Sequence, residues 1–155
     1  GKYPVETVKA MKKVILYTQN HSHVSPINHE VTGEFKNYDA IAGGVVQLAE
    51  KIGADLIVCQ TASGATAQAI AAQRPKLPII TVTSNPRVAG QLALCYANSA
   101  FVRPYTENYG IDLAQELKES GYIQIEEGKK DIFAVVMSGH KEITGGTDTI
   151  KLVRI

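Results

Sequence analysis

The chain has 155 residues, the length of one compact domain, and is 45% hydrophobic and 20% charged, a balance that supports a packed core and excludes a disordered chain. Sixteen basic against fifteen acidic residues leave a net charge of +1, so no whole-chain field recruits nucleic acid or an anionic membrane. The two cysteines, Cys59 and Cys95, sit in apolar runs without metal-ligand spacing and read as free thiols of a reducing compartment. No apolar run approaches the ~20 residues needed to cross a bilayer, and no basic-then-apolar signal opens the chain. Neither nucleic acid nor membrane is therefore an expected partner, and a cytoplasmic location is expected.

In chain order, Val5, Val8 and Met11 are helix-spaced. The stretch from Asn20 to Asn37, with His21, His23, Pro26, His29 and Gly33, reads as irregular. Ile41, Val45, Leu48 and Ile52 form an apolar stripe closed by Gly53, which predicts a helix over 38–52. Strands are expected at 55–60, 78–83, 100–103 and 131–137, and most are apolar at nearly every position. Such runs suit strands covered on both faces, as a parallel sheet between helical layers requires. Between them, Ala65 to Gln73 is a short helix ended before Pro75. Asn85-Pro86 caps a helix over 86–97, and Ile111, Ala114 and Leu117 mark one closed by Gly121. The run 149–155 follows the last apolar strand after only a loop, so it is expected as an antiparallel edge strand. The class is α/β.

Two loops carry candidate chemistry. Thr61-Ala62-Ser63-Gly64-Ala65-Thr66 lies between a strand end and a helix start, where hydroxyls, unpaired amides and the helix dipole favour an anion such as phosphate. Serine and threonine are also ordinary helix caps, so an uncomplicated cap is the competing reading. The segment lacks the Lys-Ser/Thr ending of a Walker loop and the GxGxxG of a dinucleotide fold. The second loop, Gly139 to Thr147, contains His140, Lys141, Thr144, Gly145 and Gly146, and leaves the carboxyl end of a strand, where open α/β sheets bind ligands. A simple hairpin connection competes with that reading. No nucleophile, acid–base pair or metal-ligand set appears; His21 and His23 read as solvated loop histidines. Catalytic residues, metal and cofactor are expected to be none.

The residues nonetheless match a known pattern. Gly1-Lys2-Tyr3-Pro4-Val5-Glu6-Thr7-Val8 resembles the entry to the last barrel helix of pyruvate kinases. Thr61 to Thr66 resembles that family's phosphate loop, and Arg74 to Pro86 its "RPxxPIIxVTxNP" segment. Gly139 to Val153 resembles its effector loop and last strand. The resemblance implies the family's C-terminal regulatory domain at 13–155, with residues 1–12 a remnant of the last catalytic-barrel helix in a piece of a longer enzyme. It implies a three-layer α/β/α fold with a mixed five-stranded sheet, order 3-2-1-4-5, strand five antiparallel. That order puts strands one and four side by side and brings the two loops together at a topological switch point.

The site it implies binds a phosphorylated effector through Thr61, Ala62, Ser63, Gly64, Ala65 and Thr66, with Gly139, His140, Lys141, Thr144, Gly145 and Gly146 on the effector loop. It also implies packing on the chain's own catalytic barrel and a homo-oligomer, a dimer of this domain and a tetramer of the parent. The parent's reaction would be phosphoenolpyruvate plus ADP to pyruvate plus ATP, with magnesium and potassium held outside this chain. Two features depart from family members that bind fructose 1,6-bisphosphate. The segment Tyr105-Thr106-Glu107-Asn108-Tyr109-Gly110 has no cation, and Glu142-Ile143 stands where small residues are common. A monophosphate, the bisphosphate, and a domain without a working effector site all remain open on the residues. In the last case the chain would be a purely structural oligomerisation module.

Overall fold

The structure, a computed structural model, describes residues 1–21, 37–123, 131–139 and 147–155. Its helices are α1 Pro4–His21, α2 Asn37–Lys51, α3 Ala65–Ala72, α4 Pro86–Leu92 and α5 Tyr109–Glu119. Its strands are β1 Leu56–Gln60, β2 Ile79–Thr83, β3 Asn98–Val102, β4 Phe133–Gly139 and β5 Thr147–Arg154. They form one sheet in the order β3-β2-β1-β4-β5. β1 pairs in parallel with β2 and with β4, and β2 with β3, while β5 runs antiparallel to β4. This is the expected mixed sheet and strand order.

Alternation along β1 divides the core. Ile57 and Cys59 face one side, where they pack with α2, α3 and α4 residues including Val45, Ile70 and Leu92. Leu56 and Val58 face the other and meet Tyr109, Leu113 and Leu117 of α5. All four of these β1 residues are 0% exposed, which explains why this strand reads as an unbroken apolar run. On α2 the buried positions are Ala42, Val45, Val46 and Ala49, with Ile41, and Ile52 just after the helix, at their margin. The buried face thus combines two alanines with two valines and packs with Ala67, Ile70 and Ala71 of α3. At the base of β1, the Asp55 amide donates to the Phe133 carbonyl (2.8 Å). Its carboxylate Oδ2 accepts from the Phe133 amide (2.9 Å), fixing the β1–β4 register.

Several boundaries differ from expectation: β3 starts at Asn98 instead of 100, and β4 spans Phe133–Gly139, two residues later at each end than 131–137. α4 ends at Leu92, not near 97. There the Leu92 carbonyl accepts from the Cys95 amide (3.0 Å) and from Asn98 Nδ2 (2.9 Å), and Ala97 turns through φ 54° to start β3. β5 begins at Thr147, earlier than 149. α1 runs on to His21, whose Nδ1 lies 2.8 Å from the Tyr17 carbonyl and whose ring stacks on Tyr17 at 4.0 Å. Residues 1–18 are exposed throughout, and α1 carries apolar side chains from Leu16 at 48% to Val14 and Tyr17 at 66% exposure. The expected irregularity at 22–36, with His23 and His29, lies outside the described residues.

Asn98 also accepts from Thr81 Oγ1 through Oδ1 (2.6 Å), so one amide links β2, β3 and the end of α4. Thr81 is 0% exposed, and no other partner for its hydroxyl appears among the described residues. Asn98→Ala is expected to cost about 1–3 kcal/mol, the penalty for orphaning a buried polar group. A shift in the urea midpoint with unchanged slope would show it.

Candidate functional site

The loop after β1 is built by its own side chains. The Thr61 amide donates to the Val82 carbonyl (3.0 Å), holding the chain to β2 for one more residue. Thr61 Oγ1 then accepts from the Gly64 amide (2.9 Å), closing a tight turn. Gly64 caps α3 in the left-handed conformation, φ 87°, which glycine adopts without strain. A Cβ on Gly64 would stand 3.1 Å from Val88 Cγ1 and 3.4 Å from Leu92 Cδ2. The missing side chain therefore lets α3 start hard against α4. Capping by Ser63, which the competing reading of this segment would allow, is weak, since its Oγ is 3.5 Å from the Ala65 amide and the helix has no side-chain cap bond. Ala62 and Ser63 are exposed, Ala65 is half-buried, and Thr61, Gly64 and Thr66 are buried.

Among the described residues nothing accepts from the amides of Thr66 and Ala67, the second and third positions of α3. Such amides, at the positive end of a helix and beside a flexible hydroxyl, can bind an anion. No residue from 61 to 66 is charged, so any attraction there comes from dipoles and hydroxyl protons.

The strand order brings the second segment to the same place. Gly139 ends β4 and pairs with Thr147 at the start of β5. Thr66 and Thr147 hydroxyls meet at 2.6 Å, with the residues 3% and 7% exposed. Gly139 and Thr147 are thus held beside the α3 terminus. His140, Lys141, Thr144, Gly145 and Gly146, the rest of the expected effector loop, lie outside the described residues. Thr147 is the last residue of the second candidate loop, but its contact with Thr66 has no sequence signal, because no local pattern couples residues so far apart.

On the other side of the sheet, α5 begins against the end of β1. A Cβ on Gly110 would lie 2.7 Å from Gln60 Cγ, so glycine here admits the Gln60 side chain. Tyr109 is 6% exposed and its ring packs on Tyr105 with centroids 5.3 Å apart. Burial pushes the Tyr109 phenol up to about 12, helped by Cys59 and Tyr105 nearby; burial alone pushes the Cys59 thiol up to about 12. Both groups are neutral when protonated, and the fold holds those protons more tightly than the unfolded chain. The stability they provide is complete below the ordinary thiol value of 9.0 and is lost as pH rises toward 12. The urea midpoint is expected to fall steadily above pH 9. Cys59→Ala should flatten that fall by up to one proton, about 1.4 kcal/mol per pH unit. Arg103 pairs with Glu116 at 2.6 Å on the exposed flank, where an ion pair adds little stability.

Among the described residues no three His, Cys, Asp or Glu side chains gather as a metal site, and no helix is long and apolar enough to cross a membrane.

Comparison with known proteins agrees with this geometry. Residues 39–153 match the family described as pyruvate kinase, alpha/beta domain. A pyruvate kinase of Agrobacterium vitis is 30% identical over 99% of this chain and 33% of its own length. One from Clostridium acetobutylicum is 29% identical over 98% of the chain and 32% of its own length. The chain therefore spans about a third of the curated relatives it matches. A crystal structure of a pyruvate kinase from Cryptosporidium parvum superimposes with a TM-score of 0.64 at 28% identity, over 79% of this chain and 23% of that one. With sheet order, sequence and superposition in agreement, the chain belongs to the pyruvate kinase family, as its C-terminal alpha/beta domain.

Proposed function

We propose that this domain binds a phosphorylated small-molecule effector at the start of α3 and transmits its occupancy to a larger pyruvate kinase. The observation that carries the reading is the junction of the 61–66 turn with the end of β4 and the start of β5, made by the Thr66–Thr147 contact. It sits where β1 and β4 are neighbours, β1 leading to α3 on one face of the sheet and β4 reached from α5 on the other, the switch point at which open α/β sheets take ligands. The phosphate is held by Ser63 and Thr66 hydroxyls and α3 amides, with Lys141 as the cation. Because residues 105–110 supply no second cation, a monophosphate such as a sugar monophosphate or AMP is the preferred class.

The parent enzyme converts phosphoenolpyruvate and ADP to pyruvate and ATP in the cytoplasm, with magnesium and potassium bound outside this domain. Residues 1–12 are a remnant of the barrel's last helix, and the exposed apolar residues of α1 are the ones that pack within and against that barrel. The domain also pairs with a second copy in a homo-oligomer. In favour of assembly, β5 is an edge strand with Ile150 42% and Leu152 48% exposed, a hazard unless another chain covers it. A purely structural assembly module would explain that edge equally well, so ligand response separates the two readings.

The test is a thermal-shift titration with inorganic phosphate, AMP, ribose 5-phosphate, glucose 6-phosphate and fructose 1,6-bisphosphate. A ligand at 100 times its dissociation constant stabilises by about 2.7 kcal/mol, and each kcal/mol moves the midpoint of a domain this size by about 2–4 °C. A selective rise of several degrees supports the effector reading. No rise with any of the five leaves the assembly module.

A further inference from the structure

Thr147 lies outside the segment that would touch the phosphate, yet among the described residues its hydroxyl links the two halves of the site, 2.6 Å to Thr66 Oγ1. Its place depends on an irregularity in the β4–β5 ladder. Ser138 pairs with Thr149, but Gly139 pairs with Thr147, so Asp148 is skipped. Unbroken pairing would put Asp148 opposite Gly139, in the position Thr147 occupies. The bulge therefore stands a neutral hydroxyl beside the start of α3 where regular pairing would bring a carboxylate, and bulges commonly re-aim side chains in this way.

A hydroxyl has one proton and two lone pairs. If Thr66 donates to Thr147, its proton is spent, and its oxygen turns lone pairs toward an anion. If Thr147 donates to Thr66, the Thr66 proton is free to point at the anion. Arrival of a phosphate selects the second arrangement. Resting on the effector reading above, the geometry assigns Thr147 as a positioning residue for phosphate-ester binding. It donates to Thr66 and turns the Thr66 proton into the site, without touching the ligand.

Binding of the five ligands named above to the chain and to Thr147→Val, Thr147→Ser, Thr66→Ala and Thr66→Ala/Thr147→Val tests this, with each ligand-free melting temperature recorded. Thr147→Val is expected to weaken the preferred ester about 5- to 30-fold, since a hydrogen bond to a charged group is lost indirectly. Thr147→Ser, which keeps the donor, should stay within about twofold of the native chain. Thr66→Ala should weaken binding strongly, and adding Thr147→Val to it should cost hardly any more, the non-additivity expected of a residue that acts only through another. Additive losses, or a valine variant that binds as the native chain does, overturn the assignment while leaving the effector reading intact. If the native chain binds none of the five, the effector reading falls and this assignment falls with it.

Discussion

Gly64→Ala is expected to destabilise the domain by about 2–5 kcal/mol. Two costs combine. Gly64 sits at φ 87°, a left-handed conformation that costs a residue with a Cβ about 1–2 kcal/mol. The new methyl would also stand 3.1 Å from Val88 Cγ1, and overpacking of this kind costs about 1–3 kcal/mol. Gly53 separates the terms, because it has φ 65° with nothing within 4 Å of its would-be Cβ. Gly53→Ala should show only the backbone cost. Urea denaturation of the two variants measures the difference, which is the steric term. Equal losses would mean that α3 slides away from α4 freely and that the turn at 61–64 is less fixed than its hydrogen bonds imply.

The second large effect concerns binding. Ser63→Ala with Thr66→Ala should reduce affinity for the preferred phosphate ester by about 100-fold or more, taking hydrogen bonds to a charged group at about 1.5–3 kcal/mol each. The two substitutions differ in their structural cost. Ser63 is exposed and its removal should change stability by less than about 0.5 kcal/mol. Loss of the Thr66 hydroxyl strands that of Thr147, which is 7% exposed, at about 1–3 kcal/mol. Binding is therefore compared well below the melting temperature of the double variant. Affinity retained in a folded double variant would remove the 61–66 turn from the site.

Much of this architecture was legible from residues alone because the relevant signals are local. β1, β2 and β4 are buried on both faces, so their apolar runs are unbroken. The Asn85-Pro86 start of α4 is as read, with Asn85 Oδ1 accepting from the Arg87 amide at 3.0 Å. The end of α4 was not legible, because Asn98 captures the Leu92 carbonyl from the next strand, and residues 93–97 have no helical flaw of their own. The extension of α1 to His21 was hidden by a polar Asn-His-Ser composition that favours turns in isolation. The strand order came with the family resemblance, since periodicity says which segments are strands and not which ones are neighbours. In the site, the strand–turn–helix at 61–66 was visible, but the share of Thr147 depends on a bulge and on a contact spanning 81 positions.

A proton–nitrogen correlation spectrum locates binding residue by residue, and so tests directly whether the start of α3 holds a phosphate group. The ester that gives the largest thermal shift is titrated into the chain and into the Ser63→Ala/Thr66→Ala variant. The expected result is a saturable movement of the Ser63 to Ala67 amides, with one dissociation constant in the native chain and none in the variant at the same concentrations. Movement confined to other residues, or no movement at millimolar ester, would contradict it.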